Sequence, residues 1–176
     1  ERAFHVSNPD LEDKFDAFCS RHRSKQKESN RQQLFHGTLT ASARSIIKSG
    51  FRLPDRRGMF GRGVYFADTP MKSMQYTRAK RGTILLCEVE LGNTMMKSGA
   101  HNDLTPETDM QRSWVMRKIF KQQSFDSVTA RAGFLGGLRV PEYVIYDPDQ
   151  VKPKYLIFFR QGPRKYTVLT MPKFAG

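Results

Sequence analysis

Five polar and aromatic residues that could do chemistry together fall in four short segments, LFHGT, GRGVYF, KSMQY and PEYVIYD: His36, Tyr65, Ser73 with Tyr76, and Glu142. His36 is followed by a glycine, whose backbone can approach a ligand closely. Ser73 and Tyr76 are three residues apart, so both fall on one face of a helix. Each segment alone has an ordinary structural explanation, so a function depends on all four coming together.

The glycine-rich start of residues 58–76, GMFGRGVYFADTPMKSMQY, has neither of two common nucleotide-binding signatures. It lacks the Gly-Lys-Ser/Thr ending of a phosphate loop, and it lacks the Gly-x-Gly-x-x-Gly spacing of a dinucleotide-binding turn. A ligand of this stretch would therefore have to be bound in another way, with the tyrosines and the serine that follow the glycines.

The composition is typical of one globular domain. A chain of 176 residues can bury a core without disulfides or metal. Cys19 and Cys87 have no CxxC neighbour and no histidine cluster, so we expect both in the core, in a reducing compartment, with neither a disulfide nor a metal site. No apolar run reaches the roughly 20 residues that span a bilayer, and no signal peptide is visible.

The net charge of +13 arises from 30 Lys and Arg against 17 Asp and Glu. Such an excess indicates a polyanionic neighbour, which could be nucleic acid, an acidic membrane or a phosphate-rich ligand; the alternative is a basic surface with no specific partner. The basic residues are dispersed, and they do not alternate with aromatic residues as in an RNA-recognition sheet.

Capping residues and spacing predict three helices. The first begins at Asn8–Pro9, where Asn can cap and Pro suits the first turn. The second follows the short strand QLFHGT, which ends at Gly37, and stops at Gly50; the third starts at Pro70 and closes at Gly82. The faces of the first two helices are formed by Leu11, Phe15, Phe18, Cys19 and His22, and by Ala43, Ile46 and Ile47.

Strand patterns dominate the second half. TILLCEVEL alternates apolar Cys87, Val89 and Leu91 with Glu88 and Glu90; GVYFA, FDSVTA, EYVIYD, KYLIFF and KYTVLTM are further candidates. Residues 92–124 form a long segment with a short helix around residues 114–120, where substrate selection usually lies. Early helices and late strands predict an α+β domain with a mostly antiparallel sheet.

In this order, the segments closely resemble the catalytic domain of the poly(ADP-ribose) polymerase family, the H-Y-E, diphtheria-toxin-like class of ADP-ribosyltransferases. The resemblance covers roughly residues 4–160 and includes VSNPDLEDKF, LFHGT, MFGRGVYFADTPMKSMQY, FDSVTA and PEYVIYDPDQVKPKYLIFF. It implies a single catalytic domain over residues 1–176 with the ADP-ribosyltransferase fold, a split sheet with an NAD cleft and a few flanking helices. Residues 161–176 lie beyond the resemblance and are expected to add a strand and tail.

The resemblance implies NAD as the substrate and gives the site residues their roles. His36 would bond a ribose hydroxyl on the adenosine side, and Gly37 would offer its backbone N–H and C=O to the nicotinamide carboxamide, joined by the Ser73 hydroxyl. Tyr76 would stack on the nicotinamide ring, and Tyr65 would wall its other side. The remaining residues expected to bind NAD are Thr38, Ser42, Arg52, Phe66, Ala67 and Lys72.

The resemblance also makes Glu142 the main catalytic group, together with His36 and Tyr65. Cleaving the glycosidic bond to nicotinamide develops positive charge on the ribose, as in glycoside hydrolysis. A carboxylate near the ribose 2′-hydroxyl stabilises that charge. Aromatic packing on the nicotinamide excludes water, and the loop from Leu53 to Phe60 would cover nicotinamide and pyrophosphate. This chemistry needs no metal.

The acceptor of ADP-ribose is less well defined. VSNPDL and FDSVTA resemble the mono-ADP-ribosylating branch, whereas Glu142 is typical of the polymerising branch and the tankyrases, so mono- and poly-transfer both stay open. We expect a protein acceptor; the alternative is nucleic acid, with phosphates held by Arg117, Lys118 and Lys121. Residues 1–30 are too few for the family's autoinhibitory helical domain, so activation by DNA breaks is not expected.

Two other functions are compatible with parts of this sequence. An NAD-dependent RNA 2′-phosphotransferase would explain the charge, but that family relies on arginines at its motif positions, and the pair of Tyr65 and Glu142 argues against it. An inactive NAD- or nucleic-acid-binding module would typically have lost the histidine, the tyrosine or the carboxylate. We therefore expect an active ADP-ribosyltransferase that is monomeric, has no membrane partner, and acts in the nucleus or cytoplasm, or inside a host cell as a secreted effector.

Overall fold

The computed structural model of the protein describes residues 2–23, 29–75, 77, 81–97, 104, 125–131 and 140–160. Over these ranges the chain forms helices and strands in the predicted α+β arrangement. The helices are α1 (Pro9–Arg23), α2 (Thr40–Ser49), α3 (Pro70–Gln75) and a 3-10 helix (Pro148–Gln150). The strands are β1 (Arg2–His5), β2 (Arg31–Thr38), β3 (Val64–Phe66), β4 (Arg81–Glu90), β5 (Thr94–Lys97), β6 (Ser127–Ala130), β7 (Glu142–Ile145) and β8 (Val151–Arg160).

The strands form two four-stranded sheets that are joined by one short backbone bridge. The first sheet has the order β1-β8-β4-β2 and is antiparallel throughout. The second has the order β3-β7-β6-β5, with a parallel pair at β5 and β6. Phe35 of β2 and Ala67 after β3 exchange backbone hydrogen bonds of 2.8 and 3.0 Å. The split, mostly antiparallel sheet predicted from the sequence is confirmed.

The central strand β4 is buried on both faces. Its residues Leu85, Cys87 and Val89 face α2 and apolar side chains of the second sheet. The alternate residues Ile84 and Leu86 face a separate cluster on the other side of the first sheet. The predicted apolar face of this strand is therefore confirmed, and the buried opposite face explains why so much of TILLCEVEL is apolar.

Glu90, which alternates with the apolar residues of this strand in the sequence, is nevertheless buried. Its carboxylate accepts hydrogen bonds from the Ser29 hydroxyl at 2.8 Å and from the backbone N–H groups of Asn30 and Gly92 at 2.9 and 3.1 Å. These bonds satisfy the carboxylate, so its burial at the end of β4 is compatible with a stable fold.

Helix α1 begins, and helix α2 ends, where the sequence predicts. The Asn8 side chain accepts the N–H of Leu11 at 3.4 Å, and its amide donates to the carbonyl of Ile47 at 2.9 Å, which fixes α1 against the end of α2. Gly50 ends α2 with φ +84°, a left-handed conformation that favours glycine. No helix among the described residues is long and apolar enough to span a membrane.

The third helix ends earlier than predicted, at Gln75, and Gly82 lies inside β4 opposite Phe159. A side chain at Gly82 would meet the Phe159 ring at 2.9 Å and Thr77 at 3.1 Å, so this glycine permits close packing and does not stop a helix. Strands β1 and β5 were not predicted. The predicted helix at residues 114–120 and the strand KYTVLTM lie outside the described residues.

Leu85 supports both the core and the strand next to His36, and its replacement should be costly. Leu85 is fully buried, whereas Leu39 is 63% exposed. We expect Leu85→Ala to lower the free energy of unfolding by about 2–5 kcal/mol, because it leaves a cavity in a packed core. Leu39→Ala removes the same atoms at the surface and should change it by no more than about 0.5 kcal/mol. Urea unfolding of both variants tests this; equal losses would contradict the burial of Leu85.

Candidate functional site

A cavity of about 680 Å³ opens between the end of β2, α2, the loop that follows α2, β3 and the first residue of β7. This volume is typical of small-molecule sites. All predicted site residues that the structure describes line it: His36, Gly37, Thr38, Ser42, Arg52, Tyr65, Phe66, Ala67, Lys72, Ser73 and Glu142. Tyr76 lies outside the described residues. The four sequence segments are thus brought to one cavity.

His36 is oriented by its own sheet and by β3. Its Nδ1 lies 2.9 Å from the backbone carbonyl oxygen of Tyr65, and since a carbonyl can only accept, Nδ1 carries the hydrogen. The ring also packs edge-on against Phe51 at 5.0 Å and beside Phe66 at 5.5 Å. Loss of solvent around the ring lowers the pKa of His36, so the imidazole is neutral at pH 7. Its Nε2 therefore holds a lone pair that can accept a ligand hydroxyl.

Gly37 offers both backbone polar groups to the cavity. The N–H and C=O of Phe35 are bonded to Ala67, and so point away from β4. Alternate residues of a strand point the same way, so the N–H and C=O of Gly37 also point away from β4. A side chain at Gly37 would overlap the carbonyl oxygen of Ser73, so only glycine allows α3 to pack this closely.

Ser73 lies next to Gly37, and a hydrogen bond fixes the direction of its hydroxyl group. Its Oγ is buried and donates a hydrogen bond of 3.0 Å to the carbonyl of Phe35. The hydroxyl hydrogen is used inside the protein, so the oxygen is left to accept a hydrogen bond from a ligand. The predicted contact from Ser73 is therefore an acceptor for an N–H group.

Tyr65 walls the cavity and also fixes the neighbouring loop. Its hydroxyl accepts the N–H of Phe60 at 2.8 Å and donates to the carbonyl of Gly61 at 3.0 Å. Burial raises the pKa of Tyr65 to about 12, with a smaller effect from the carboxylate of Glu142, so the phenol stays protonated. A side chain at Gly58 would lie 2.5 Å from the Tyr65 hydroxyl oxygen. The glycine-rich stretch thus makes room for the tyrosine.

Tyr146 is a residue that the sequence analysis missed. Its hydroxyl donates a hydrogen bond of 2.6 Å to the carbonyl of Phe60, whose side chain is fully buried. Tyr65 and Tyr146 therefore satisfy the N–H and the C=O of one residue. Pro54, Gly58 and other parts of the predicted covering loop line the cavity, and the two tyrosines hold this loop in place. The only signal in the sequence is a tyrosine that ends the apolar run EYVIY.

Glu142 begins β7 with its side chain buried in the cavity wall. Its Oε1 lies 3.1 Å from the ammonium nitrogen of Lys72, and the two side chains are 4% and 18% exposed. The ammonium offsets the cost of burying the carboxylate. The carboxylate therefore lies at a fixed point of the cavity, on the same side as Tyr65. Among the described residues, no group of three or more His, Cys, Asp or Glu is placed to hold a metal ion.

The arrangement can bind a long polar molecule along its length. One part of the cavity has the neutral imidazole of His36 with Thr38, Ser42 and Arg52 nearby in the chain. The other part has a backbone donor and acceptor, the Ser73 oxygen and an aromatic wall. A carboxylate paired with an ammonium group lies beside them. Such a carboxylate can stabilise positive charge that develops on a bound ligand.

The chain matches one protein family over most of its length. A family model of the poly(ADP-ribose) polymerase catalytic domain matches residues 1–161. The chain is 29% identical over 176 residues to "Poly [ADP-ribose] polymerase 2" of Zea mays, covering 88% of this chain and 26% of that protein. It is 32% identical over 160 residues to "Poly [ADP-ribose] polymerase 1" of Danio rerio, covering 80% of this chain and 16% of that protein. The chain thus spans about a quarter of these relatives or less.

Acid should destabilise the protein through His36. The pKa of His36 is lower in the folded state than its ordinary value of about 6.5, so below that pH the unfolded chain binds a proton that the folded chain does not. Stability is therefore retained above about pH 6.5 and lost as the pH falls. Urea unfolding at about pH 7 and pH 5 should show a smaller loss in His36→Gln than in the wild type. Equal losses would contradict a neutral, partly buried imidazole.

The loop that covers the cavity should loosen when the Tyr146 hydroxyl is removed. Tyr146→Phe leaves the Phe60 carbonyl without this donor, at a cost of about 1 kcal/mol. We expect hydrogen–deuterium exchange to become faster in residues 53–61 while the core strands stay protected. Tyr155→Phe on β8 is the matched control and should leave the exchange of residues 53–61 unchanged. Slow exchange there in the Tyr146 variant would show that the hydroxyl does not hold the loop.

Proposed function

The chain belongs to the poly(ADP-ribose) polymerase catalytic domain family, and from this premise we propose that it cleaves NAD and transfers ADP-ribose to a macromolecular acceptor. The family consists of NAD-dependent ADP-ribosyltransferases that use NAD as a substrate. The observation that carries the proposal is the buried carboxylate of Glu142, which faces the same cavity as His36 and Tyr65.

The carboxamide of nicotinamide fits the groups at Gly37. A primary amide has one carbonyl acceptor and two N–H donors. The N–H of Gly37 can donate to the amide carbonyl, while the C=O of Gly37 and the oxygen of Ser73 can each accept one amide hydrogen. These three contacts would fix the rotation of the nicotinamide ring, with Tyr65 as one wall and Tyr76 as the proposed stacking partner. The ribose and adenine of NAD would then extend toward His36, Thr38, Ser42 and Arg52.

In the proposed reaction, the bond between the ribose C1′ and the nicotinamide nitrogen breaks. The bonding electrons stay on nicotinamide, which leaves as a neutral molecule, and positive charge develops on the ribose. Glu142 would stabilise this charge and orient the ribose through its hydroxyl, while Lys72 would keep the carboxylate in place. The acceptor then forms a bond to C1′ and releases its proton. Tyr65 and the fixed loop would exclude water from this step.

The proposal also concerns which molecule accepts ADP-ribose and how many units are transferred. The names of the relatives describe polymerases of ADP-ribose, and Glu142 supports the same capacity here without deciding between one unit and many. We keep a protein as the expected acceptor and nucleic acid as the alternative. Arg117, Lys118 and Lys121, which would grip nucleic acid, lie outside the described residues. A single domain over residues 1–176, a monomer and an intracellular location also remain proposals, and the relatives give no support to a secreted effector.

Glu142→Gln should separate binding from chemistry. The substitution keeps the shape of the side chain and removes its charge, so we expect nicotinamide release from NAD to fall at least about 100-fold. NAD should still raise the melting temperature of this variant, because the carboxamide contacts are intact. Glu88→Gln, on β4 and half-buried outside the cavity, is the matched control and should release nicotinamide as the wild type does.

Labelled NAD incubated with the protein alone, with a protein extract, and with mixed RNA and DNA identifies the acceptor. Label on protein that disappears in Glu142→Gln would support the proposed transfer, and a ladder of products would show elongation. A wild-type protein that is stabilised by NAD but releases no nicotinamide would overturn the proposal, and the chain would then be an NAD-binding module.

A further inference from the structure

The loop between α2 and β3 carries positive charge that the cavity does not use. The wider stretch of residues 31–67, which includes this loop, contains seven Lys and Arg but one acidic residue, Asp55. Within this stretch, Arg52 lines the cavity, but Arg56 and Arg57 are exposed and do not line it. Neither Arg56 nor Arg57 has a carboxylate partner among the residues that the structure describes. Two adjacent guanidinium groups are therefore available to a partner other than the cavity's ligand.

The single acidic residue of this stretch is already engaged. Arg62 lies 3.8 Å from the Asp55 carboxylate and donates a hydrogen bond of 3.1 Å to the carbonyl of Pro54. Arg62 therefore joins the two ends of the loop, and its charge balances that of Asp55 in an exposed ion pair. The loop keeps a net positive charge, and Arg56 and Arg57 are both exposed to solvent.

The same loop is held at the rim of the cavity. Arg56 and Arg57 lie in the chain between Pro54 and Gly58, which both line the cavity. The N–H of Gly58 donates to the carbonyl of Gly61 at 2.9 Å and closes a turn. Within this turn, the backbone of Phe60 is held by the hydroxyl groups of two tyrosines. The two arginines are thus presented from an anchored loop, which reduces the entropy lost on binding.

We propose that Arg56 and Arg57 form a docking surface for the phosphate backbone of a nucleic-acid strand at the rim of the cavity. One guanidinium group can donate two parallel hydrogen bonds to the oxygens of a phosphate. Phosphate contacts supply most of the affinity of non-specific nucleic-acid binding. The sequence pI of about 10.0 favours a polyanionic partner. A nucleic-acid strand carries a phosphate on every nucleotide, so two arginines of one loop can each contact a phosphate, whereas the carboxylates of an acidic peptide are irregularly spaced.

This docking surface is separate from the proposed chemistry. Only its position beside an NAD cavity rests on the proposed function, because binding of the strand requires no transfer step. Arg56 and Arg57 do not line the cavity, so NAD and the strand should bind at the same time. Binding can therefore be measured both without NAD and with saturating NAD, and the two results should agree.

The test measures the fluorescence anisotropy of a labelled thymidine oligonucleotide of about 20 nucleotides as salt rises from about 50 to 200 mM. Three proteins are compared: the wild type, Arg56→Gln with Arg57→Gln, and a control with Arg2→Gln and Arg160→Gln. The control removes the same charge from exposed positions on β1 and the end of β8. Loss of two phosphate contacts should make the slope of log affinity against log salt shallower by about 1.4 in the loop variant and leave it unchanged in the control.

Two results would overturn the docking surface. The loop variant could bind the oligonucleotide as the wild type does; a raised KM for NAD in that case would assign the arginines to the NAD pyrophosphate. Polyglutamate of equal charge could also displace the oligonucleotide from the wild type as well as unlabelled DNA does, which would indicate an acidic peptide partner. Nicotinamide release by the wild type is measured separately, so failure of catalysis with loop-dependent binding would overturn only the proposed function.

Discussion

The site depends on one edge strand that is hydrogen-bonded on both sides. The inner side of β2 pairs with β4 over its whole length, while its outer side bonds to the second sheet, among the residues that the structure describes, at Phe35 alone. Had the bridge to Ala67 continued to Gly37, the two sheets would have closed and left no opening. Because it stops after one residue, the backbone N–H and C=O of Gly37 have no hydrogen-bond partner within the described part of the chain, at the point where the cavity opens. An unsatisfied pair of backbone groups is costly unless a ligand or water meets it, so the cavity is suited to an amide-like ligand.

The remaining features of the site keep this opening in place. The Ser73 hydroxyl donates to the carbonyl of Phe35, which also takes part in the bridge between the sheets, and α3 packs closely against Gly37. The same buried hydrogen bond therefore supports both the bridge and the cavity wall. Elsewhere in the wall, β7 pairs with β3, and Glu142 and Tyr65 line the same cavity. Placing the carboxylate at the first residue of a paired strand fixes its backbone, and the Lys72 ammonium fixes its side chain. Preorganised charge of this kind requires little rearrangement during a reaction.

The parts of the fold that sequence could predict are those specified locally. Asn8–Pro9 and Gly50 mark helix ends through capping and backbone conformation, and the alternation in β4 marks its apolar face. The predictions fail where the role of a residue depends on a partner that is distant in the chain. Gly82 has the local character of a helix stop, but the ring of Phe159, which lies directly opposite on the neighbouring strand β8, requires its small size. Glu90 follows the polar half of an alternating pattern, yet the loop before β2 buries it.

The site shows the same division between local and distant information. Residue types and order placed His36, Tyr65, Ser73 and Glu142 together as candidates, and the fold brings them to one cavity without testing their roles. The direction of each hydrogen bond could not be predicted, because it depends on which carbonyl lies opposite. Tyr146 was missed for this reason: only the fold places its hydroxyl against Phe60, which is 86 residues away in the chain.

Tyr65 illustrates why a single residue in such a site can have several separable functions. Its ring walls the cavity, its hydroxyl holds the backbone of Phe60 and Gly61, and its own carbonyl fixes the hydrogen on His36 Nδ1. Replacing the whole side chain would disturb the first two functions together and leave the third to the backbone. Tyr146 also holds Phe60, but the aromatic wall is formed by Tyr65. Replacing Tyr146 would therefore reduce the rigidity of the loop without changing the shape of the wall. The same rigidity determines where the arginines of the loop stand, which makes the loop a physical link between the cavity and the charged rim.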